Sequence, residues 1–317
     1  MKAIQVEAFG GPEVMKISDV SDPVANSDEV LIDVTCIGVN YADTHQIEDS
    51  YMISHPLPFI PGMEVAGTLS NGKRVMALLS CGGYSQKAAA NKSNVFEIPS
   101  NISDQQALAS LVQGCTAWHT LKTMGNLVKG QKVLIHAAAG GVGTIAVQLA
   151  KYFGAYIVGV TSNKEKADLV KTLGADVIVD PHDSDLRGAL MQASLGTGFD
   201  LVLEMVGGRR FDISLEVLAP FGRLVSYGAA SRKAASEIKP LSLLTGSRTI
   251  SGFYLADCVN KPGSISEAIN ELFKLIESGH LHPVVGQSFF MSQAVDAHKE
   301  MLARKTMGKI TLDPHID

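Results

Sequence analysis

No two cysteines in this sequence stand close enough to grip a metal or to staple a small fold. The four, Cys36, Cys81, Cys115 and Cys258, are scattered along 317 residues with no C-x-x-C pair. That spacing gives neither a zinc knuckle nor a disulfide framework, and the four are read as reduced thiols of a cytoplasmic protein. An excess of positive charge is also missing: the net charge is -5, which attracts neither nucleic-acid phosphates nor an anionic membrane surface. No apolar run approaches the roughly 18 residues of a membrane span. The opening Met1-Lys2-Ala3-Ile4 enters a strand pattern directly instead of a signal core, so export is not expected. Internal repeats and low-complexity stretches are absent. What is present is 46% apolar and 19% charged, the composition of a globular chain with a sizeable core and enough length for two domains.

The first third reads as short strands broken by turn residues. Ala3–Glu7, Glu29–Val39, Gly72–Leu79 and Tyr84–Ala90 carry strand patterns, punctuated by Gly10-Gly11-Pro12, Pro56-Leu57-Pro58 and Pro61-Gly62. This order predicts a small antiparallel barrel. A helix is expected over Asp104–Leu111 with Ser103 as its N-cap. Near residue 114 the pattern changes, and strands alternate with helices: Lys132–His136, then a helix Val142–Phe153 closed by Gly154, Ala155–Val160, and a helix Lys164–Leu173 closed by Gly174. Val177–Val179, Asp200–Glu204 and Arg223–Ser226 supply further strands. Repeated βα units imply a parallel, doubly wound sheet. A helix Ser264–Glu277 and a terminal strand Lys309–Leu312 follow. The expected division is 1–113, 114–255 and 256–317, the last segment returning to the first domain.

The strongest local signal is His136-Ala137-Ala138-Ala139-Gly140-Gly141-Val142-Gly143, which follows a strand and opens a helix. It is a variant, Ala138-x-Gly140-x-x-Gly143, of the dinucleotide fingerprint. Gly140 and Gly141 can take positive φ and leave the backbone bare. A pyrophosphate then reaches the N–H groups at the helix start, while Gly143 lets the helix pack closely on the sheet. The residues at this turn expected to touch a dinucleotide are Ala139, Gly140, Gly141 and Val142. After the second strand, NAD-binding versions carry an Asp or Glu for the ribose hydroxyls. Here the chain reads Val160-Thr161-Ser162-Asn163-Lys164 instead. Thr161 and Ser162 offer hydroxyls, and Lys164 and Lys166 offer charge, so NADPH is expected over NADH.

Barrel, glycine turn and parallel sheet, in that order, resemble the zinc-independent quinone oxidoreductase (ζ-crystallin-like) branch of the medium-chain dehydrogenase/reductase superfamily. The resemblance is carried by Gly10-Gly11-Pro12-Glu13-Val14, Gly38–Thr44 (GVNYADT), Pro58–Gly67 (PFIPGMEVAG) and, most specifically, Gly130–Lys151 (GQKVLIHAAAGGVGTIAVQLAK). It implies an α/β fold in which a doubly wound Rossmann sheet is inserted into a GroES-like β-barrel catalytic domain, with the active site in the cleft and a homodimer or homotetramer paired through sheet edges. It also implies site residues. Asn40 matches a residue near the nicotinamide, Thr116 a cofactor-contacting threonine, and Ser162 and Lys166 ligands of a 2′-phosphate. Tyr227 falls in a loop near the cofactor, and Phe253–Leu255 in the stretch that contacts the carboxamide. One departure is Pro181, where relatives carry a tyrosine that helps hold the adenosine phosphate.

The zinc enzymes of the superfamily use Cys and His at the positions of Asn40 and Met63, and neither Asn nor Met is a good zinc ligand. No metal is therefore expected. Without a Lewis acid, oxidising an alcohol is hard, whereas a quinone or enone already delocalises an incoming electron pair and needs positioning and a hydrogen-bond donor. The resemblance implies the donors: Tyr51 matches a tyrosine that lines the substrate pocket, and Asn40 the residue near the nicotinamide. His45 is expected to be a proton source near neutral pH or else an exposed helix-start residue. Asp43 and Glu64 are read as structural carboxylates, and the other histidines as incidental. Quinone reduction is the leading reading. Its alternatives are an enone or 2-enoyl-thioester reductase and a non-catalytic, crystallin-like NADPH-binding protein. No nucleic-acid or membrane partner is expected.

Overall fold

The computed structural model describes residues 1–315. The chain divides into two compact units, Met1–Gln113 together with the chain from Pro283 on, and Gly114–His282.

In the first unit the strands are held by the expected alternation. Glu29–Val39 is the hub: it pairs antiparallel with Glu64–Thr68, with Lys87–Asn91 and with the C-terminal strand Lys309–Asp313. Ile32, Ile37 and Val39 from this strand join Val65, Tyr84, Ile310 and Leu312 in one buried cluster. Two strands are shorter than expected. Arg74–Leu78 starts after a turn in which the Gly72 N–H donates to Leu69 O at 2.8 Å. Lys87–Asn91 starts three residues late, because the Tyr84 N–H turns back to Pro61 O at 2.9 Å. The expected cap is present: Ser103 Oγ accepts from the Gln106 N–H, and Gln106 Oε1 accepts from the Ser103 N–H. The helix it starts does not stop at Leu111. Asp104–Leu108 passes into wider π turns over Ala109–Gly114.

The second unit is a six-stranded, all-parallel sheet. Its order is Val177–Val179, Tyr156–Val160, Lys132–Ile135, Phe199–Glu204, Leu218–Ser226 and Thr249–Gly252. The first strand lies centrally and the chain winds outward to both sides, as expected of a doubly wound sheet. The central strands Lys132–Ile135, Tyr156–Val160 and Phe199–Glu204 are buried on both faces and read as nearly continuous apolar runs. Leu134, Val158, Val202, Phe199 and Leu224 meet in one core. The edge strand Thr249–Gly252 was not visible in the sequence.

The return to the first unit begins at Pro283, not at 256. The helix Ser264–Glu277 buries Ile265, Ala268, Ile269 and Leu272 and packs on the helix Cys115–His119 of the second unit. Gln148 then clamps the segment behind it: Oε1 accepts from the His282 N–H at 2.8 Å and Nε2 donates to His282 O at 3.0 Å. Among the described residues no helix is long and apolar enough to cross a membrane.

Candidate functional site

The glycine turn leaves the strand Lys132–Ile135 and enters the helix Gly141–Tyr152. Its geometry differs from expectation in one respect. Gly140 caps the helix in an ordinary extended conformation, φ -76° and ψ 177°. The left-handed residue is Ala137, at φ 49°. Gly143 is needed for room. A Cβ on Gly143 would run into the Ala137 carbonyl oxygen and stand 2.7 Å from the Ala138 backbone. The turn is fastened to its neighbour by the Ala138 N–H, which donates to Val160 O at 3.1 Å. Gly140, Gly141 and Val142 thus sit at the start of a helix whose first N–H groups have no intrahelical acceptor.

The second strand delivers Thr161, buried, and Ser162, half-buried, beside that turn. Asn163 caps the next helix, its side chain accepting from the Lys166 N–H at 2.9 Å. The two lysines part company here. Lys164 lies on the surface with Nζ 2.5 Å from Asp168. Lys166 is 8% exposed, unusual for a charged side chain. At the other end of the sheet, the Tyr227 N–H donates to Glu204 O and the Phe253 N–H to Ser226 O. Leu255 opens the next short helix. Thr116 belongs to the helix Cys115–His119, whose His119 stacks on Phe253 at 5.6 Å between ring centres and lies 3.2 Å from Ser264 O. Of the residues expected to touch a dinucleotide, residues 139–142, Thr161, Ser162, Tyr227 and Phe253 follow the carboxyl ends of strands in one parallel sheet, where open α/β sheets bind ligands, whereas Thr116 lies on a helix of the same unit and Asn40 belongs to the other unit.

In the first unit, Asn40 is the N-cap of the helix Tyr41–Ile47. His45 lies in the last turn of that helix, half-buried, with Nδ1 2.7 Å from Ser50 Oγ. It is not a helix-start residue. Tyr51 follows in a half-buried bend. Asn40 itself is 4% exposed and sits in a polar cluster that the sequence did not reveal. Its Nδ2 donates to Glu64 Oε1 at 2.7 Å, and its Oδ1 accepts from Lys309 Nζ at 3.1 Å and from Gln113 Nε2 at 3.4 Å. Lys309 and Glu64 form an ion pair with both side chains wholly buried. Glu64 Oε2 accepts from the Val112 N–H at 3.0 Å.

A second buried cluster lies next to it. Asp43 Oδ2 accepts from the Asn40 N–H and from Tyr84 Oη, and the same hydroxyl lies 2.9 Å from His298 Nε2. Burial pushes the Asp43 carboxyl up to about 7 and the His298 imidazole down to about 3. In the second unit, burial likewise holds His136 at about 4, with Nε2 2.8 Å from Ser214 Oγ. These histidines are structural groups, not incidental ones. Their folded pKa values lie below the ordinary 6.5, so between pH 6.5 and 4 the unfolded chain binds protons that the fold refuses, and acid removes stability there. Asp43 acts oppositely, losing stability as pH rises from about 4 to 7. Replacing His136 with Gln is expected to flatten the acid limb of the urea midpoint against pH. The flattening corresponds to roughly 3 kcal/mol, and an unchanged slope would refute the assignment.

Comparison with known proteins fits this geometry. Residues 26–100 match the alcohol dehydrogenase GroES-like domain and residues 141–277 the zinc-binding dehydrogenase domain. A quinone oxidoreductase of Pseudomonas aeruginosa is 32% identical, with 99% of each chain covered. The crystal structure of Escherichia coli quinone oxidoreductase complexed with NADPH superimposes with a TM-score of 0.93 at 29% identity, covering 99% of this chain and 100% of that one. The Thermus thermophilus quinone oxidoreductase gives 0.88 at 34%, with the same coverage. The zinc in the second domain's description does not suit the residues present. Asn40 and Met63 offer an amide and a thioether. Of the two carboxylates bonded to Asn40, Glu64 already holds the Lys309 ammonium and Asp43 accepts from Tyr84 Oη. With two matched domains in the right order and 32% identity across nearly the whole length, the chain belongs to the quinone oxidoreductase branch of the medium-chain dehydrogenase/reductase superfamily.

Proposed function

We propose that the protein is a cytoplasmic, NADPH-dependent, zinc-independent reductase of quinones or similar conjugated carbonyls. The observation that carries the reading is the bare turn Ala137–Gly143 opening a helix, with a buried lysine, Lys166, in the helix that follows the neighbouring strand Tyr156–Val160. The turn suits a pyrophosphate, and Lys166 with Thr161 and Ser162 suits a 2′-phosphate. Thr116, Tyr227, Phe253 and Leu255 would border the nicotinamide half. Bound NADPH supplies a hydride; the acceptor also takes up one proton, leaving as the hydroquinone or saturated carbonyl.

The chain's own residues handle the acceptor. Asn40 has one Nδ2 hydrogen committed to Glu64, and the other is available to an oxygen gaining negative charge. Tyr51 is the second donor. His45, steadied by Ser50, is the proton source. Replacing Tyr51 with Phe is expected to lower turnover about tenfold while leaving NADPH affinity intact; a wild-type rate would make it a wall residue only. The reading as a whole is tested by NADPH consumption with a naphthoquinone, an enone and an enoyl-CoA. Fastest turnover with the quinone supports it, preference for the thioester favours the enoyl reductase, and no consumption with any acceptor overturns it.

A homodimer is part of the proposal. Phe221, Leu241 and Leu244 are 76%, 77% and 71% exposed, and they flank the open edge strand Thr249–Gly252. Apolar exposure beside an unpaired strand is a pairing surface. Light scattering on a Phe221→Lys, Leu244→Lys variant should then report a monomer.

A further inference from the structure

The buried ion pair next to Asn40 has a direction built into it. Lys309 Nζ has three hydrogens and three acceptors: Glu64 Oε1, Asn40 Oδ1 at 3.1 Å and Val39 O at 3.2 Å. An amide in such a place can sit in two orientations that differ by exchanging oxygen and nitrogen. Here only one is electrostatically allowed. The amide oxygen faces an ammonium, and the amide nitrogen faces a carboxylate. Reversing the amide would set its NH2 against Lys309 and its oxygen against Glu64, two repulsive contacts among buried side chains.

The neighbouring backbone is shaped to permit the arrangement. Gly38 lies opposite Glu64 in the sheet. A Cβ there would stand 2.5 Å from Glu64 Oε1 and 2.6 Å from its Cγ. The bare position lets the carboxylate lie across the strand to reach both Asn40 and Lys309.

We propose that Lys309 is a positioning residue that acts as an internal cation beside Asn40. It fixes the polarity of the Asn40 amide, so that the remaining Nδ2 hydrogen always faces the acceptor. The inference rests on the role given to Asn40 under the proposed function.

Removal of the cation and its return from solution test it. Lys309→Ala deletes three methylenes and the ammonium, which n-propylammonium restores. NADPH:quinone turnover of this variant is expected to fall about a hundredfold, the scale of losing one preorganised oxyanion donor, with the KM for NADPH unchanged. Added n-propylammonium, and not n-propanol, should recover at least tenfold of the rate and raise the unfolding temperature in a saturable way. Absence of both effects overturns the inference. Should Lys309→Ala fail to fold, Lys309→Met with Glu64→Gln removes both charges together. That variant should fold yet remain slow in kcat; wild-type kcat would reduce the ion pair to scaffolding and overturn the inference. If the wild-type protein shows no quinone turnover, the proposed function falls by itself. The saturable thermal response to n-propylammonium then still decides whether a cation site exists beside Asn40.

Discussion

Lys166→Glu is expected to weaken NADPH binding by about two orders of magnitude and NADH binding by less than about threefold. The asymmetry follows from the position of the side chain. Lys164 spends its charge on Asp168 at the surface, whereas Lys166 is buried in the first turn of a helix capped by Asn163. A charge-assisted hydrogen bond to a phosphate contributes about 1.5–3 kcal/mol, and reversing the charge adds repulsion to the loss. Together these come to roughly 3 kcal/mol, or about a hundredfold in Kd. NADH has no 2′-phosphate to lose. Fluorescence titration with both nucleotides measures the ratio, and equal weakening of the two would remove Lys166 as the discriminating group.

Gly143→Val should produce the opposite signature, abolishing NADPH and NADH binding alike. A side chain at 143 meets backbone, not a movable side chain: the Ala137 carbonyl and the Ala138 main chain. The helix must lift from the sheet or the turn must open, at about 1–3 kcal/mol of stability or more, and either movement takes the N–H groups away from a pyrophosphate. Gly140→Ala provides the contrast. Its φ is ordinary, and its Cβ would stand 3.2 Å from the Ala137 carbonyl oxygen, a contact a few tenths of an ångström relieve. A Gly143→Val variant with wild-type affinity would mean that the turn is not the cradle.

How much of this was legible beforehand depends on the range over which each feature is encoded. The parallel sheet and its glycine turn are local. Apolar runs such as Lys132–Ile135 and Tyr156–Val160 are punctuated by glycines at fixed distances, and a residue-by-residue reading finds them. The missing acid after Val160 is equally local. Thr249–Gly252 escaped because four residues, half of them exposed, carry no periodicity of their own; partnership with Leu218–Ser226 makes them a strand. The boundary at 256 was misplaced for a similar reason, since only packing on Cys115–His119 shows to which unit the helix Ser264–Glu277 belongs. The positive φ falls on Ala137 instead of a glycine, and what the turn requires of Gly143 is space. Asn40 was readable by resemblance. Its partners were not, because Lys309 lies 245 residues from Glu64 and a lone lysine in a terminal strand has no signature. Tyr84 and His298, which share a buried hydroxyl contact, meet across 214 residues.

The closing strand has a consequence for biosynthesis. Lys309–Asp313 pairs with Glu29–Val39, so this amino-terminal strand waits for a partner translated 270 residues after Val39. The inserted unit, whose strands are all contained between residues 114 and 282, can collapse while the amino-terminal sheet is still unfinished. Until Lys309 emerges, Glu64 has no counter-charge, and enclosing it would strand a carboxylate away from water. A nascent chain stalled before this lysine should therefore present an open, protease-sensitive amino-terminal region beside an already resistant nucleotide-binding unit.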